Sequence, residues 1–332
     1  MPLVSIIVPC YNEQATIRLL LDAFCRQTVS GQDMEIIIAD GLSVDRTREE
    51  IALFQQQHPE MQVKIVDNPG RAIPSALNRA IEAAQGQYIV RLDAHSVPSP
   101  DYLERCIQDL EADRGENVGG VWEICPPGAG KMQQAIALAA AHPFGVGDAR
   151  YRYTTQAGLV DTVPFGAFRR EVFTLYGKFD ETLLSNEDYE FNARLRQNGG
   201  RIWLDPSIRS KYFSRPNLQA LAKQYWRYGY WKWRMLRRYP TTLRWRQALP
   251  PVFVLGVVAL GLLALGWNVA RMLLVAGMLF YFLVLCAGSI PAAKRSGDLS
   301  LIFLIPLAIA TMHFSWGLGF WWSMLSVPKQ KS

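Results

Sequence analysis

The last quarter of the chain sets the tightest limit on how it folds. From Gln247 to Ala270 there is no Asp, Glu, Lys or Arg, and the same holds from Met272 to Ala293 and from Leu299 to Pro328. Each run exceeds the ~18–20 residues that a helix needs to cross a bilayer core. One such run could be a buried helix of a soluble protein, but three in succession read as membrane-inserted helices. The chain has 332 residues, which leaves room ahead of these runs for one domain of about 200–250 residues.

Residues 1–246 mix charged and apolar positions as a water-facing domain does. The N-terminus does not read as a secretory signal, because it lacks a basic start and Pro9, Asn12 and Glu13 interrupt its apolar run. It reads as the first strand of a folded domain. Five scattered cysteines show no CxxC or Cys/His metal spacing, so reduced thiols in a cytosolic domain are expected. The net charge of +6 has an address: between Asp205 and Pro250 eleven Lys/Arg face one acid, Asp205, with Tyr and Trp interleaved. A basic, aromatic stretch just before a membrane span fits an anionic lipid surface. The adjoining apolar runs make that reading stronger than nucleic-acid binding, so no nucleic-acid partner is expected. The basic residues also orient the chain. The segment before the first run and the Ala292–Asp298 link, with Lys294 and Arg295, are expected on the cytoplasmic side. Trp267–Arg271 is expected as a tight link that makes a hairpin of the first two spans. Three crossings then place the C-terminus outside, although Lys329 and Lys331 argue mildly against that.

Four short apolar runs read as buried strands: Val4–Val8, Glu35–Ala39, Gln62–Val66 and Gln87–Leu92. Helix-like segments lie between them, near Gln14–Gln27, Asp45–Gln57 and Pro74–Ala84. This alternation predicts a mostly parallel sheet covered by helices. Such sheets bind ligands beyond the carboxyl ends of their strands. Polar residues gather there: Pro9 to Glu13 after the first strand, Asp40 to Asp45 after the second, and Asp93-Ala94-His95 after the fourth. Val118–Ile124 is expected as a further strand, Asn186–Gln197 as a helix, Ile202–Leu204 as a short strand and Asn217–Arg238 as an amphipathic helix on the membrane. Residues 126–160 are not assigned.

Several residues have both a chemical and a plain reading. Asp93 and His95 can hold a divalent cation that stabilises charge on a departing phosphate, or they cap a turn before Pro98. Asp40 can accept hydrogen bonds from a base or ribose, or serve as an ordinary Asp-Gly turn acid, with Ser43 or Asp45 capping the next helix. Of Glu187 and Asp188, one can act as general base toward a hydroxyl; equally, Ser185 to Asp188 makes a fair helix start with Ser185 as cap. Gln224 to Tyr228 offers an amide and an arginine for phosphate, or continues the interfacial belt. His313, within the third run, is either functional or bonded to a neighbouring helix.

Taken together, these segments resemble the family 2 glycosyltransferases over about residues 4–235. Val4-Ser5-Ile6-Ile7-Val8-Pro9-Cys10-Tyr11-Asn12-Glu13 resembles the family's opening strand and nucleotide-binding loop, and Glu35 to Gly41 with Ser43, Asp45 and Thr47 resembles its second. Asn68-Pro69-Gly70, Arg71 and Ala76-Leu77-Asn78 resemble the segment lining a uridine site. Asp93-Ala94-His95 stands at the metal-binding Asp-x-Asp, with His95 in place of the second acid. Phe165-Gly166-Ala167-Phe168-Arg169 resembles the acceptor-side loop, Glu187-Asp188 the pair whose second acid is the base, and Gln224 to Tyr228 the Gln-x-x-Arg-Trp motif, with Tyr228 in place of Trp. The Asp-Ala-His form with a C-terminal hydrophobic region is most similar to the bacterial succinoglycan-type exopolysaccharide glucosyltransferases.

The resemblance implies a GT-A-type, Rossmann-like α/β domain (1–215), an interfacial basic aromatic helix (216–246) and three transmembrane helices (247–328) in the inner membrane, with the catalytic domain cytoplasmic. It implies an inverting, metal-dependent transfer of one sugar from a UDP-sugar to a polyprenyl-diphosphate-linked acceptor, with Mg²⁺ or Mn²⁺ as cofactor and membrane lipids as partners. Asp188 is then the base, and Asp93 with His95 holds the metal. Pro9, Tyr11, Glu13, Asp40, Arg71, Asn78 and Asp93 line the nucleotide-sugar site. Phe165, Gly166, Glu187, Gln224 and Arg227 face the acceptor or diphosphate. The alternatives are a processive synthase or polyprenyl-phosphate sugar transferase on the same fold, and a non-catalytic membrane scaffold.

Overall fold

The computed structural model describes residues 2–240 and 243–326. The tail Lys329 to Lys331 and the last two residues of the third apolar run, 327–328, lie outside the described residues. In chain order the elements are β1 (Val4–Cys10), α1 (Ile17–Phe24), β2 (Met34–Asp40), α2 (Thr47–Gln57), β3 (Gln62–Asp67), α3 (Ile73–Ala83), β4 (Tyr88–Arg91), β5 (Val97–Pro98), α4 (Tyr102–Glu111), β6 (Asn117–Cys125), α5 (Lys131–Ala140) and α6 (Pro143–Val146). They continue with β7 (Gly158–Leu159), β8 (Ala167–Arg169), α7 (Val172–Leu175), α8 (Glu187–Gln197), β9 (Ile202–Phe213), α9 (Leu218–Arg238), α10 (Trp245–Leu263), α11 (Asn268–Ser296) and α12 (Leu301–Leu325). They fall into two compact units. The first runs to Glu123 and resumes over Arg150–Tyr212; the second comprises Ile124–Ala149 and the described chain from Phe213 onward.

In the first unit one sheet has the strand order β3-β2-β1-β4-β8-β6-β9-β5, with β7 paired to β9. β3, β2, β1 and β4 are parallel, and β8 joins β4 antiparallel. β1 and β2 are rich in Val and Ile because both of their faces are covered. Val4, Ile6 and Val8 share a core with Ile36, Ile38, Leu20, Phe24, Phe54 and Leu103, and so with α1, α2 and α4. Successive side chains alternate faces, so Ile7 and Ile37 point the other way, where α3 packs. Each such fully buried aliphatic contributes about 1.5–3 kcal/mol. Register decides where the chemistry falls: Cys10 pairs with Asp40, Asp40 with Asp67, and Ile7 with Arg91. The loops after all four parallel strands therefore open on one edge.

Some expectations differ from the structure. β9 runs twelve residues, Ile202–Phe213, rather than three. Pro206, and Asp205 accepting from Ser207 N at 2.8 Å, interrupt its pattern without ending it, as bulged strands allow. The unassigned stretch contains α5 and α6, which belong to the second unit. Ser185 does not cap α8; Asn186 does so from a left-handed conformation, φ 67°, with no side-chain cap bond. α11 continues through Lys294 and Arg295 to Ser296 and stops at left-handed Gly297.

In the second unit Ala135, Ile136 and Ala139 of α5, Leu221 and Tyr225 of α9, Leu285, Ala292 and Ala293 of α11, and Ile305, Ala308, Ile309 and Met312 of α12 form one apolar cluster. Among the described residues three helices, α10, α11 and α12, are long and apolar enough to cross a membrane. His313 takes the second of its two readings: Nε2 donates to the Phe144 carbonyl at 2.8 Å, and Nδ1 accepts from the Tyr281 hydroxyl at 2.9 Å.

Candidate active site

The loops after β1 and β2 are stitched together. Asn12 N donates to Ser43 Oγ (2.8 Å), Val44 N to Asn12 Oδ1 (2.9 Å), Glu13 N to Thr47 Oγ1 (2.8 Å) and Gln14 N to Asp45 Oδ2 (3.2 Å). Asp40 is fully buried. Its carboxylate accepts from Ser43 N (3.1 Å), Ser43 Oγ (2.5 Å) and Arg48 Nε (2.6 Å), and Arg48 also reaches Asp67 at 2.5 Å. Asp40 therefore anchors this edge from within. Cys10, at the end of β1, is inert as a nucleophile, because burial and then the Asp40 charge push its thiol well up. Tyr11 is exposed, with the Arg71 guanidinium 5.7 Å from its ring centroid. These two make an open face with an aromatic surface and a cation. Pro9 lies within β1, opposite Ala39 of β2. Asn78 lies elsewhere in effect: its amide donates to Phe179 O and Glu181 Oε1 and accepts from Phe179 N, all within 2.9–3.0 Å. It pins the chain around Phe179 to α3.

A group of opposite charges gathers where β4 ends and α8 begins. Arg91 ends β4 and is 6% exposed. Its Nη2 lies 3.3 Å from Asp93 Oδ1 and 3.2 Å from Glu187 Oε1. A buried cation is tolerable only when paired, and here one guanidinium ties the loop after β4 to the start of α8. Burial would lower the Arg91 pKa, but Asp93, Glu187 and Asp188 outweigh it and keep the group charged. Burial lifts Glu187 to about 7, with Arg91 opposing and Asp188 adding to the rise. Asp188 is raised by burial too, again against Arg91, while its Oδ1 accepts from Tyr189 N at 2.8 Å. A carboxyl shifted toward neutrality is suited to accept a proton near neutral pH. Arg91 N also donates to Gly166 O at 2.9 Å, which seats Phe165 and Gly166 beside the group.

His95 Nδ1 donates to Glu13 Oε1 at 3.2 Å. Burial raises the Glu13 carboxyl, but hydrogen bonds from His95 and Thr16 outweigh it and the net shift is downward. Among the described residues no three His, Cys, Asp or Glu side chains converge on one point. The donor set still fits a hard divalent cation on a diphosphate. Such ions take one or two carboxylates plus phosphate oxygens, and an imidazole fixed by a carboxylate through its other nitrogen is a common supporting pattern. Backbone strain collects here as well. Asn12, Leu42, Arg71, Phe165 and Asn186 all have positive φ between 51° and 67°, and non-glycine residues in that region cluster at functional sites.

The first unit thus brings together Tyr11, Glu13, Arg71, Asp93, His95, Phe165, Gly166, Glu187 and Asp188. Gln224, which donates to Tyr228 Oη at 2.9 Å, and exposed Arg227 belong to α9 in the second unit. Sequence reasoning passed over Arg91. The available signal was a charge at position 91 inside the otherwise apolar run Tyr88–Leu92, where a fully buried parallel strand admits no unpaired charge.

A family model described as "Glycosyl transferase family 2" matches residues 5–176. The chain belongs to glycosyl transferase family 2. This glycosyltransferase is 29% identical over 331 residues to the succinoglycan biosynthesis protein ExoA of Rhizobium meliloti, covering 98% of this chain and 96% of that one. It is 28% identical over 267 residues to a dolichyl N-acetyl-α-D-glucosaminyl phosphate 3-β-D-2,3-diacetamido-2,3-dideoxy-β-D-glucuronosyltransferase of Methanococcus voltae, covering 79% and 83%. Among solved structures it is similar to the mannosyltransferase PcManGT of Pyrobaculum calidifontis in complex with GDP-Man and Mn²⁺, with a TM-score of 0.64 at 20% identity, over 94% of this chain and 87% of that one. The fold is of the GT-A type: a mostly parallel Rossmann-like sheet, here followed by three apolar C-terminal helices that could span a membrane.

Proposed function

We propose that this glycosyltransferase moves a single sugar, with inversion, from a UDP-sugar to a polyprenyl-diphosphate-linked oligosaccharide in exopolysaccharide or cell-envelope glycan synthesis. The observation that carries the proposal is the Arg91 group: one guanidinium holds Asp93, on the donor side, against Glu187 at the start of α8, where the candidate base Asp188 also lies. Donor and acceptor chemistry would meet at that point. The acceptor hydroxyl attacks the anomeric carbon, the new C–O bond forms as the bond to the diphosphate breaks, and Asp188 takes the hydroxyl proton. Asp93, with His95 steered by Glu13, would hold Mg²⁺ or Mn²⁺ on the diphosphate. The ion supplies stabilisation of the charge on the leaving phosphate. Tyr11, Arg71 and the Pro9–Glu13 loop would receive the uridine, with Asp40 bracing them.

Relatives support the class of reaction. One is named for succinoglycan biosynthesis, another for transfer to a dolichyl phosphate-linked sugar. PcManGT is described with a nucleotide sugar and Mn²⁺, and S. aureus TarS, at a TM-score of 0.51, with UDP-GlcNAc. The apolar helices and the basic α9 support a multi-pass protein of the inner membrane with its α/β domain cytoplasmic. The deciding experiment is UDP release by detergent-purified protein over a panel of UDP-sugars with Mg²⁺ or Mn²⁺, with and without lipid-diphosphate-linked acceptors. Acceptor-dependent release with one donor is expected, lost in Asp188→Asn while UDP binding persists. Normal turnover in that variant would remove Asp188 as the base.

A further inference from the structure

The third apolar helix is long enough to cross a bilayer, but more of it is packed against protein than in the other two. α10 and α11 turn their apolar side chains outward: Leu262 is 66% exposed, Met272 71% and Phe280 70%. Cations mark the two ends of this hairpin. Arg244 and Arg246 start α10, Lys294 and Arg295 end α11, and Arg271 sits by the far link, donating to Ala264 O at 3.1 Å. From Arg271 to Lys294 the helix rises ~34 Å at ~1.5 Å per residue, which matches a bilayer core.

α12 differs. Protein covers 39% of its most apolar stretch, against 11% in α11. Its first half lies against α5 and α6, through Ala135, Ile136 and Ala139, and through His313 bonded to the Phe144 carbonyl. Its second half is flush with α9. A Cβ on Gly229 would stand 2.0 Å from Trp316 O, and one on Gly319 2.3 Å from Trp226 O. Tyr225 meets Trp316 and Trp233 meets Phe320, with ring centroids 6.5 and 5.4 Å apart. The α9 helix that shares this seam carries no acid; it exposes Lys223, Arg227, Arg237 and Arg238 and buries Lys232 within the protein. A helix packed backbone to backbone takes its partner wherever it goes. If α12 crossed the hydrocarbon, this row of cations would enter with it, and intramembrane charges are tolerated only when paired or facing water.

We infer that α12 lies in the headgroup interface together with α9, so that only the α10–α11 hairpin crosses and Ser326 ends on the same side of the membrane as α9. The face that α9 and α12 build is a docking surface for anionic lipid headgroups, with cations on one helix and apolar side chains on the other. The inference also removes the conflict that Lys329 and Lys331 pose for a C-terminus outside.

The inference rests on the membrane reading given above, and the test separates the two. The full chain, with Leu265→Cys or Ser326→Cys, is produced in a bacterial host and treated with a membrane-impermeant maleimide before and after lysis of spheroplasts, and labelling is scored as the excess over the native chain, whose own exposed Cys25 sets the background. Leu265→Cys, in the α10–α11 link, should label in intact spheroplasts, and Ser326→Cys only after lysis. Labelling of Ser326→Cys in intact spheroplasts would overturn the inference, as would silence of Leu265→Cys there. A C-terminal fusion to a fluorescent protein that matures only in a reducing compartment gives a second reading. Fluorescence supports the placement, and a membrane-inserted but dark fusion overturns it. Recovery of the native chain in the soluble fraction without detergent would instead overturn the membrane reading itself.

Discussion

Replacing Arg91 by methionine keeps the length and apolar stem of the side chain and removes the cation that faces Asp93 at 3.3 Å and Glu187 at 3.2 Å. At an effective dielectric of ~20, one such pair is worth ~5 kcal/mol before desolvation. The guanidinium's own burial offsets part of that, and deleting one member of a buried pair typically costs ~3–5 kcal/mol. In a domain of this size that lowers Tm by ~6–20 °C. The catalytic effect follows from the same charge. Burial already holds Glu187 at about 7 and raises Asp188, and Arg91 opposes both shifts. Without it both carboxyls rise further, and the group that must accept a proton is occupied at neutral pH. Each pKa unit of rise is ~1.36 kcal/mol and removes up to ~tenfold of the ionised base. UDP release at pH 7 should therefore fall. The acid limb of the kcat profile should move to higher pH, and part of the activity should return at pH 9. Because these acids interact, the profile reports the group rather than one residue. Arg91→Lys, which keeps the charge but not the fork, should fall between. The assay is UDP release against pH alongside thermal unfolding of the same preparations. A variant with the Tm and pH profile of the native chain would refute the reasoning, because it would mean that the guanidinium holds nothing together.

Glu187→Gln should flatten the pH dependence of stability. Burial raises Glu187 from 4.5 to about 7, so the folded chain holds this proton more tightly than the unfolded one and stability falls as pH climbs through that window; thermal unfolding at pH 5 and pH 8 should show a smaller loss in the variant. Glu13→Gln should weaken Mn²⁺ binding to the protein–UDP complex by ~10–100-fold, as loss of a supporting carboxylate does, and unchanged affinity by electron paramagnetic resonance would separate His95 from the metal. Gly120→Ala would place a Cβ 1.7 Å from Ile208 O; forcing β6 from β9 should cost ~1–3 kcal/mol or more, read as a lower Tm, and a native Tm would show that the strands part freely.

Much of the fold was legible because it is local. The Val- and Ile-rich runs at the start, with polar residues just past each, predict parallel strands and the edge on which a site opens, and Asp93 and Glu187 do meet there. The three long apolar helices were legible from length and charge alone. Other features depend on partners distant in the chain. β9 was expected only over Ile202–Leu204, because Asp205 and Pro206 break the apolar pattern until the antiparallel neighbour is known. Asn78 sits in a motif associated with nucleotide, yet its amide is occupied by the chain around Phe179, about a hundred residues away.

Arg91 shows why a site reading that named the acids but not the cation between them was incomplete. Three carboxylates, Asp93, Glu187 and Asp188, cannot share a desolvated pocket without a cation, so a reading that names all three already requires one. Position 91 was the place to look, since it is the one charged residue in the apolar run that delivers Asp93 to the edge. The same logic applies to α9. A basic helix beside an apolar one suggests two separate elements, one on the membrane and one through it, until Gly229 and Gly319 are read as a seam. Gly317 faces the start of α10 instead, where a Cβ would stand 2.5 Å from Val254 Cγ2 and 2.7 Å from Pro250 O. The bilayer must then accept α9 and α12 as one object, and its charge decides where that object lies.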